Sequence, residues 1–115
     1  MTDKQFNVLF IDAVASHDRE EYVSDWCLSS MWEDDPESDI PADRIDQLGL
    51  LWDVAHASIH DIRSYTGLSQ AGFAERCCIP RRTVENWESN INTCADYLRL
   101  LLAQAVGMYR RPDNK

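Results

Sequence analysis

The sequence lacks the features that mark secreted and membrane-spanning proteins. Among 115 residues it has no apolar run of about 18 residues, the length needed to cross a bilayer. It also has no basic N-terminal segment followed by an apolar stretch and a small-residue cleavage site. We therefore expect a cytoplasmic protein that has no contact with a membrane.

The four cysteines lack the spacing of a metal site. They form no Cys-x-x-Cys pair and no Cys/His pattern typical of a zinc finger. In a reducing compartment we expect them to be free thiols that serve in packing. These residues are Cys27, Cys77, Cys78 and Cys94.

The sequence also lacks the residue patterns of common catalytic sites. We find no nucleophile-base pair and no glycine-rich phosphate loop. His56 and His60 are four residues apart, but Ser58 is predicted to begin a new helix between them, so they need not share a face. We therefore expect no enzymatic activity, no bound metal and no cofactor.

Positive charge is scarce and unevenly distributed. The chain carries 11 basic and 20 acidic side chains, a net charge of −9. Residues 1–62 hold 15 acidic and 3 basic side chains, a balance of −12, whereas residues 63–115 hold 5 and 8, a balance of +3. The acidic run Glu33–Asp39 lacks the spacing of a calcium loop and is predicted to be a solvated break. The sequence thus divides into an acidic half and a weakly basic half.

Apolar periodicity predicts three helices in the acidic half. The first covers residues 6–15, the second runs from a cap at Asp18 to about Trp32, and the third follows Pro41. Their expected buried faces are Phe6, Phe10, Ala13 and Val14, with Ile11 nearby; Tyr22, Val23, Trp26, Cys27 and Ser30; and Ile45, Leu48, Trp52 and Ala55.

The second half carries start and stop signals for four more helices. Ser58 with Asp61 begins one that ends at Gly67, Ser69 begins the next, Pro80 stands at the start of the third, and Thr93 begins the last. The last helix has a broad apolar face that the third N-terminal helix should cover, from the same chain or from a partner chain. That face comprises Tyr97, Leu98, Leu101, Leu102 and Ala105.

The stretch Leu68–Glu88, LSQAGFAERCCIPRRTVENWE, predicts two short helices joined by a tight turn. Ala74 is small where the two helices would approach each other closely, and Val84 with Trp87 would form the buried stripe of the second helix. The opposite face of that helix carries Arg81, Arg82, Glu85 and Asn86. Arginine suits bidentate contact with guanine and asparagine with adenine, so this face is suited to base edges.

Residues 62–107 resemble the Cro/lambda-repressor-type helix-turn-helix domain, also called the Xre type. The resemblance is carried by Leu68-Ser69-Gln70, by Ala74, and by the close Val84 to Glu88. Cys78 stands where the family usually has glycine, so a positive φ there would cost about 1 kcal/mol or more. Asn90 to Asn92 replace a frequent glycine and proline, and asparagine tolerates the left-handed conformation.

The resemblance implies a set of DNA contacts. In that family the glutamine that opens the first motif helix meets the DNA backbone, and the first turn of the second helix reads bases. The resemblance thus implicates Gln70, Arg81, Arg82 and Asn86. In the hypothesis we favour, Gln70 and Thr83 position the protein on phosphates, and Arg81, Arg82 and Asn86 read bases.

Together these features predict an all-α protein. We expect a compact helical bundle that contains a lambda-repressor-like helix-turn-helix with the N-terminal helices packed on it. Residues 1–57 would form an acidic region for packing or dimerisation, and residues 58–115 the DNA-binding domain. The predicted function is sequence-specific regulation of transcription by a homodimer on double-stranded DNA, at an inverted repeat with half-sites about 34 Å apart.

Two alternatives remain open at this stage. The same fold would also suit an antitoxin-like or anti-repressor-like interaction module whose acidic half engages a basic protein partner. In a third arrangement the acidic helices of one protomer screen the recognition helix until an effector binds. Salt dependence separates these hypotheses, because only a DNA binder loses duplex affinity steeply as salt rises.

Overall fold

The fold is helical wherever the computed structural model describes the chain, namely in residues 1–32 and 39–112. Within those residues there are seven α-helices, one short 3-10 turn and no strands, which confirms the predicted all-α class. None of these helices is both long and apolar enough to cross a bilayer. The helices are α1 (Asp3–Ala15), α2 (Arg19–Cys27), α3 (Ala42–Ala55), α4 (Ile59–Thr66), α5 (Gln70–Cys77), α6 (Arg81–Glu88) and α7 (Asp96–Ala105).

The helices fall into two units. The first comprises residues 1–55 together with residue 112, and the second comprises residues 56–111. The predicted acidic break at 33–39 lies almost entirely outside the described residues, as do the last three residues of the chain. The packing of α3 on α7 and the roles assigned to residues 1–57 and 58–115 stay predictions.

Polar side chains cap the N-terminal ends of the first two helices. Thr2 begins α1 with a reciprocal capping box in which its hydroxyl accepts from the Gln5 amide. Asp18 begins α2 as predicted, and its carboxylate accepts from the Glu21 amide at 3.1 Å. The prediction that α2 reaches Trp32 is wrong, because the helix ends at Cys27 and residues 30–32 form a separate 3-10 turn. Ser29 promotes this break, since its hydroxyl accepts from the Met31 amide.

The core of the first unit lies where α3 packs against both α1 and α2. The predicted faces were partly wrong: Leu9 is buried although it was left out, while Ile11 and Ile45 are exposed. Trp52 and Val14 are only half-buried. Because α3 contacts two helices, its buried residues spread over a wider arc than a single stripe. The buried side chains are Phe6, Leu9, Phe10, Ala13, Tyr22, Cys27, Leu48, Leu51, Val54 and Ala55.

Directed polar contacts link these three helices. The buried Tyr22 hydroxyl donates to the Leu9 carbonyl at 2.7 Å, which joins α2 to α1. Arg19 makes a bidentate ion pair with Asp53 at 2.9 and 3.2 Å, which joins α2 to α3. Gly49 allows this pair, because a Cβ at that position would lie 2.4 Å from the guanidinium. Polar contacts as well as apolar packing therefore fix the positions of α1, α2 and α3 in the first unit.

Two alanine substitutions on α1 test which face is buried. Leu9→Ala should lower the free energy of unfolding by about 2–5 kcal/mol, because this side chain is 1% exposed and its removal leaves a cavity. Ile11→Ala is the matched control, and since Ile11 is 59% exposed its effect should stay within about 0.5 kcal/mol. Urea denaturation measures both. Equal losses in the two variants would contradict this orientation of α1.

Candidate nucleic-acid interface

Helix caps position the elements of the second unit. Ser58 and Asp61 form a capping box at the start of α4, and α4 ends at Gly67 with a φ of 73°. Ser69 begins α5, where its hydroxyl accepts from the Gly72 amide at 3.1 Å. These three signals confirm the predicted boundaries. The Thr93 cap is wrong: α7 begins at Asp96 with Ala95 as its cap residue, which leaves Thr93 two residues too far from the helix.

The turn between α5 and α6 holds a non-glycine residue in the left-handed conformation. Cys78 has a φ of 58° and a ψ of 39°, in the position where the family usually has glycine. The Ile79 amide reaches back to the Ala74 carbonyl at 2.9 Å, which closes a Schellman-type turn. Pro80 follows and leads directly into α6. The chain thus reverses between the two helices at the predicted place.

A second left-handed residue ends α6. Asn90 has a φ of 63°, and the Ile91 amide donates to the Asn86 carbonyl at 2.9 Å. Asparagine is one of the few residues with a side chain that adopts this conformation readily. The loop therefore closes without the glycine and proline that the family often has at this point.

Helix α4 lies at the centre of the second unit and contacts α5, α6 and α7, while α5 also contacts α6. Ala74 and Val84 are buried as predicted, whereas Trp87 is only half-buried. Its ring borders an open cleft of about 170 Å³ that the loop after α6 also lines. The buried side chains of the unit are Ala57, Ile59, Ile62, Phe73, Ala74, Val84, Cys94, Leu100, Leu102, Ala103, Val106 and Tyr109.

The predicted buried face of α7 was largely wrong. Leu102 is buried, but Tyr97, Leu101 and Ala105 are exposed and Leu98 is half-buried. The observed face is rotated around the helix toward Leu100 and Ala103 (0% exposed for Ala103). An all-leucine run from 100 to 102 allows either rotation, so periodicity alone does not distinguish the two faces.

A largely buried ion pair joins α4 to the end of α6. Arg63 Nε and Nη2 donate to the two carboxylate oxygens of Glu88, each at 2.8 Å. Arg63 Nη1 donates to the Leu68 carbonyl at 3.1 Å, so the same guanidinium also holds the segment before α5. The Arg63 and Glu88 side chains are 18% and 8% exposed. This one arginine therefore links α4, the segment before α5 and the end of α6.

Two further side chains support this ion pair. His60 Nδ1 lies 3.1 Å from Glu88 Oε1. Hydrogen bonding from Arg63 is the main cause that lowers the pKa of Glu88 from its ordinary value of 4.5, against the effect of burial, and hydrogen bonds from His60 and Gln70 act in the same direction. Gln70, predicted to meet DNA phosphates, thus also contacts Glu88.

The Arg63–Glu88 pair and the contact of His60 with Glu88 were not predicted from the sequence. Arg63 and Glu88 are 25 residues apart, and no spacing rule connects them. The available indication was that Glu88 is the last residue of the motif. His60 was interpreted only as a histidine near a helix junction.

Four of the predicted DNA-contacting residues lie on the first two turns of α6. The Arg81 and Arg82 side chains are both exposed, whereas Thr83 and Asn86 are half-buried. Arg81 Nε is 3.8 Å from Glu85 Oε2, an exposed pair one helical turn apart that contributes little to stability. Two exposed arginines therefore stand in the first turn of α6.

The histidines and cysteines considered above as metal ligands do not form a metal site. Within residues 1–32 and 39–112 no group of three His, Cys, Asp or Glu side chains is arranged to hold a metal ion. All four cysteines are free thiols. Cys27 and Cys94 are buried, and burial is the main cause that raises the pKa of the Cys94 thiol.

No protein-family model matches the sequence, and comparison with curated proteins and with solved structures found no match. The resemblance to the Cro/lambda-repressor type therefore depends on the motif residues themselves. The geometry of the turn and of the Arg63–Glu88 pair is observed in the structure and does not depend on that resemblance.

Removal of the Glu88 charge should lower the stability of the folded protein. Glu88→Gln leaves the largely buried Arg63 without its anionic partner and should lower the free energy of unfolding by about 3 kcal/mol at pH 7. The matched control is Asp53→Asn, which breaks the half-exposed pair with Arg19 and should cost about 1 kcal/mol or less. Urea denaturation of both variants gives the comparison.

The same variant has a characteristic pH dependence. Because the pKa of Glu88 is lowered in the folded state, its contribution is present above its ordinary pKa of 4.5 and is lost as the pH falls through the folded value. The stability difference between the native sequence and Glu88→Gln should therefore shrink between pH 7 and about pH 3. A difference independent of pH would contradict the assigned ion pair.

The strained turn predicts a stabilising substitution. Cys78→Gly should raise the free energy of unfolding by about 0.5–1 kcal/mol, because glycine adopts a positive φ without a steric penalty. Cys77→Gly is the control one residue earlier, at the last residue of α5, and should lower it by up to about 1 kcal/mol. Thermal denaturation under reducing conditions measures both changes. A destabilising Cys78→Gly would show that the turn conformation is misassigned.

Proposed function

We propose that this protein is a sequence-specific, dimeric DNA-binding regulator of transcription that inserts α6 into the major groove. The observation that carries the proposal is the pair of exposed guanidinium groups, Arg81 and Arg82, on the first turn of a helix fixed from behind. The burial of Val84 and the Glu88 contact to Arg63 hold that helix. A fixed helix end with exposed guanidinium groups is what base recognition in the major groove needs.

Each motif residue has a chemical role in this proposal. Arg81 and Arg82 would make bidentate contacts with guanine, and Asn86 would contact adenine. Gln70 and Thr83 would position the protein on phosphates, which orient the helix without reading sequence. The pair between Arg81 and Glu85 must open for base contact. Opening should cost little free energy, because the two groups are exposed and 3.8 Å apart.

The charge distribution supports moderate affinity for each protomer. Residues 56–111 hold 7 basic and 5 acidic side chains, a balance of +2, whereas residues 1–55 hold 3 and 14, a balance of −11. Phosphate contacts supply much of the affinity of DNA-binding proteins, so a domain at +2 gains little from them. Two linked copies on an inverted repeat would compensate, because the second copy binds at high effective concentration.

Substitution of the two arginines tests the proposal. Arg81→Ala/Arg82→Ala should abolish discrimination between the operator and unrelated duplex, since each bidentate contact is worth about 1–3 kcal/mol. Unfolding stability should change by no more than about 0.5 kcal/mol, because both side chains are exposed. The operator is first obtained by binding selection, and fluorescence anisotropy then gives the affinities.

The control for this experiment removes the same charge elsewhere. Arg76→Ala/Arg110→Ala takes two exposed arginines from the same unit but leaves α6 intact. This variant should weaken binding to all duplexes alike and keep the preference for the operator. Operator affinity unchanged by Arg81→Ala/Arg82→Ala would rule out α6 as the recognition helix.

A second function is favoured by the acidic first unit. An open cleft of about 400 Å³ there is lined by carboxylates beside Tyr22 and His17. Such a surface suits an antitoxin-like or anti-repressor-like module that binds a basic protein partner. This alternative requires that the protein bind no duplex even at low salt, whereas the DNA-binding proposal requires binding that weakens steeply with salt.

A further inference from the structure

We infer that the open cleft beside Trp87 is a binding site for a small, neutral, planar heterocycle of about nucleobase size. This Trp87 cleft lies within the second unit and has a volume of about 170 Å³. Trp87 and Ile59 supply apolar wall, while Asn90, Asn92 and Thr93 are among its polar lining residues. Apolar walls with a few polar groups that fix orientation are the usual composition of a small-molecule site.

The indole N–H of Trp87 is the strongest indication of a ligand. The chain has four tryptophans, and three of them, Trp26, Trp32 and Trp52, donate this hydrogen to an oxygen of the first unit. Trp87 Nε1 donates to no group in the part of the chain that the structure describes, although its ring is half-buried. Buried indole N–H groups usually have an acceptor. An acceptor atom of a ligand in the Trp87 cleft would supply the one that this indole lacks.

Three polar side chains around the Trp87 cleft are also available to a ligand. The amides of Asn90 and Asn92 and the hydroxyl of Thr93 form no hydrogen bond with any described residue. Thr93 caps no helix, because α7 begins at Asp96 with Ala95 as its cap residue. A side-chain amide both donates and accepts hydrogen bonds. The edge of the ligand can therefore carry donors as well as acceptors.

The charges around the Trp87 cleft favour a neutral ligand. Arg99 lines the cleft, but its guanidinium donates to the Asp96 carboxylate and to the Ala57 carbonyl, and its side chain is 14% exposed. An arginine that is already paired gives little attraction to an anion. A flat ring can place an apolar face against Ile59 and its polar edge toward the Trp87 N–H, which satisfies both kinds of wall.

A ligand at this site would contact the last turn of α6 and the loop that follows it. Trp87 lies between Asn86, which we propose contacts bases, and Glu88, which pairs with Arg63. Binding would therefore act on the end of α6 that is tied to α4. Any effect on DNA rests on the proposed function, whereas binding of the ligand itself does not.

Titration of the ¹⁵N-labelled full chain with adenine tests the site by NMR. A ligand of about ten non-hydrogen atoms in an open cleft should bind with a dissociation constant on the order of 1 mM. Trp87→Phe identifies the indole signal of Trp87 by its loss. Up to about 5 mM adenine, that signal should shift downfield and saturate, because its N–H gains an acceptor. The other three indole signals should stay in place, and no shift or an equal shift of all four would contradict the inference.

A variant without one polar group of the Trp87 cleft gives the matched comparison. Asn92→Ala should weaken adenine binding about fivefold, because it removes one hydrogen-bonding side chain. Asn7→Ala removes an amide that is likewise exposed, on α1 of the first unit, and should leave binding unchanged. An Asn92→Ala variant that binds adenine as the native chain does would overturn the assignment.

A second ligand tests the requirement for an acceptor. Indole has a fused ring of similar size without a ring-nitrogen acceptor, and it should bind about fivefold more weakly than adenine. Equal binding of the two would overturn the assigned ligand class. A chain that binds adenine in the Trp87 cleft but binds no duplex at low salt would support this inference and reject the DNA-binding function. The two proposals therefore fail in different measurements.

Discussion

The ion pair between Arg63 and Glu88 is the constraint on which the arrangement of α4, α5 and α6 depends. Helix α6 has only eight residues, and its cap residue, Pro80, provides no side-chain hydrogen bond. Helices this short are unstable in isolation, so α6 depends on contacts made by the rest of the unit. Val84 supplies burial at its middle, and Glu88 ties its last turn to α4. Glu88 lies about two helical turns from the first turn of α6. The orientation of that first turn is therefore set by contacts at the C-terminal end of the helix.

The same ion pair changes the charge that α6 presents to solvent. The helix contains two arginines and two glutamates, which would make it neutral overall. Glu88 is satisfied by an arginine from another helix, and only the loose Glu85 contact opposes Arg81. Positive charge is thus concentrated at the beginning of α6 even though the chain carries −9. An acidic protein can present a locally cationic helix end when its acids are paired or lie elsewhere.

Local signals in the sequence were sufficient to predict much of the second unit. The caps at Ser58 and Ser69, the reversal at Gly67 and the turn around Cys78 all depend on residues within one helical turn of each other. The all-α class followed from the spacing of apolar residues. Such features are predictable because the hydrogen bonds that fix them are formed within a few residues.

The errors concern features that depend on distant partners. Leu9 is buried where Ile11 had been expected near the buried face of α1, and Leu100 is buried where Leu101 had been expected on α7. Each difference is a rotation of the helix about its own axis, which the neighbouring helices determine. The Arg63–Glu88 pair spans 25 residues, so nothing in the local pattern revealed it. Arg81 and Arg82 were singled out from the motif, and both are exposed.

We propose that α6, held by Arg63 and Glu88, reads the edges of bases. Selection of binding sites from random duplex DNA at low salt tests it most directly, because phosphate attraction is then strongest and no operator need be assumed. The account predicts enrichment of an inverted repeat with guanines in each half-site and half-site centres about 34 Å apart. Recovery of no preferred sequence from duplexes that bind, or of no bound duplex at all, would contradict it.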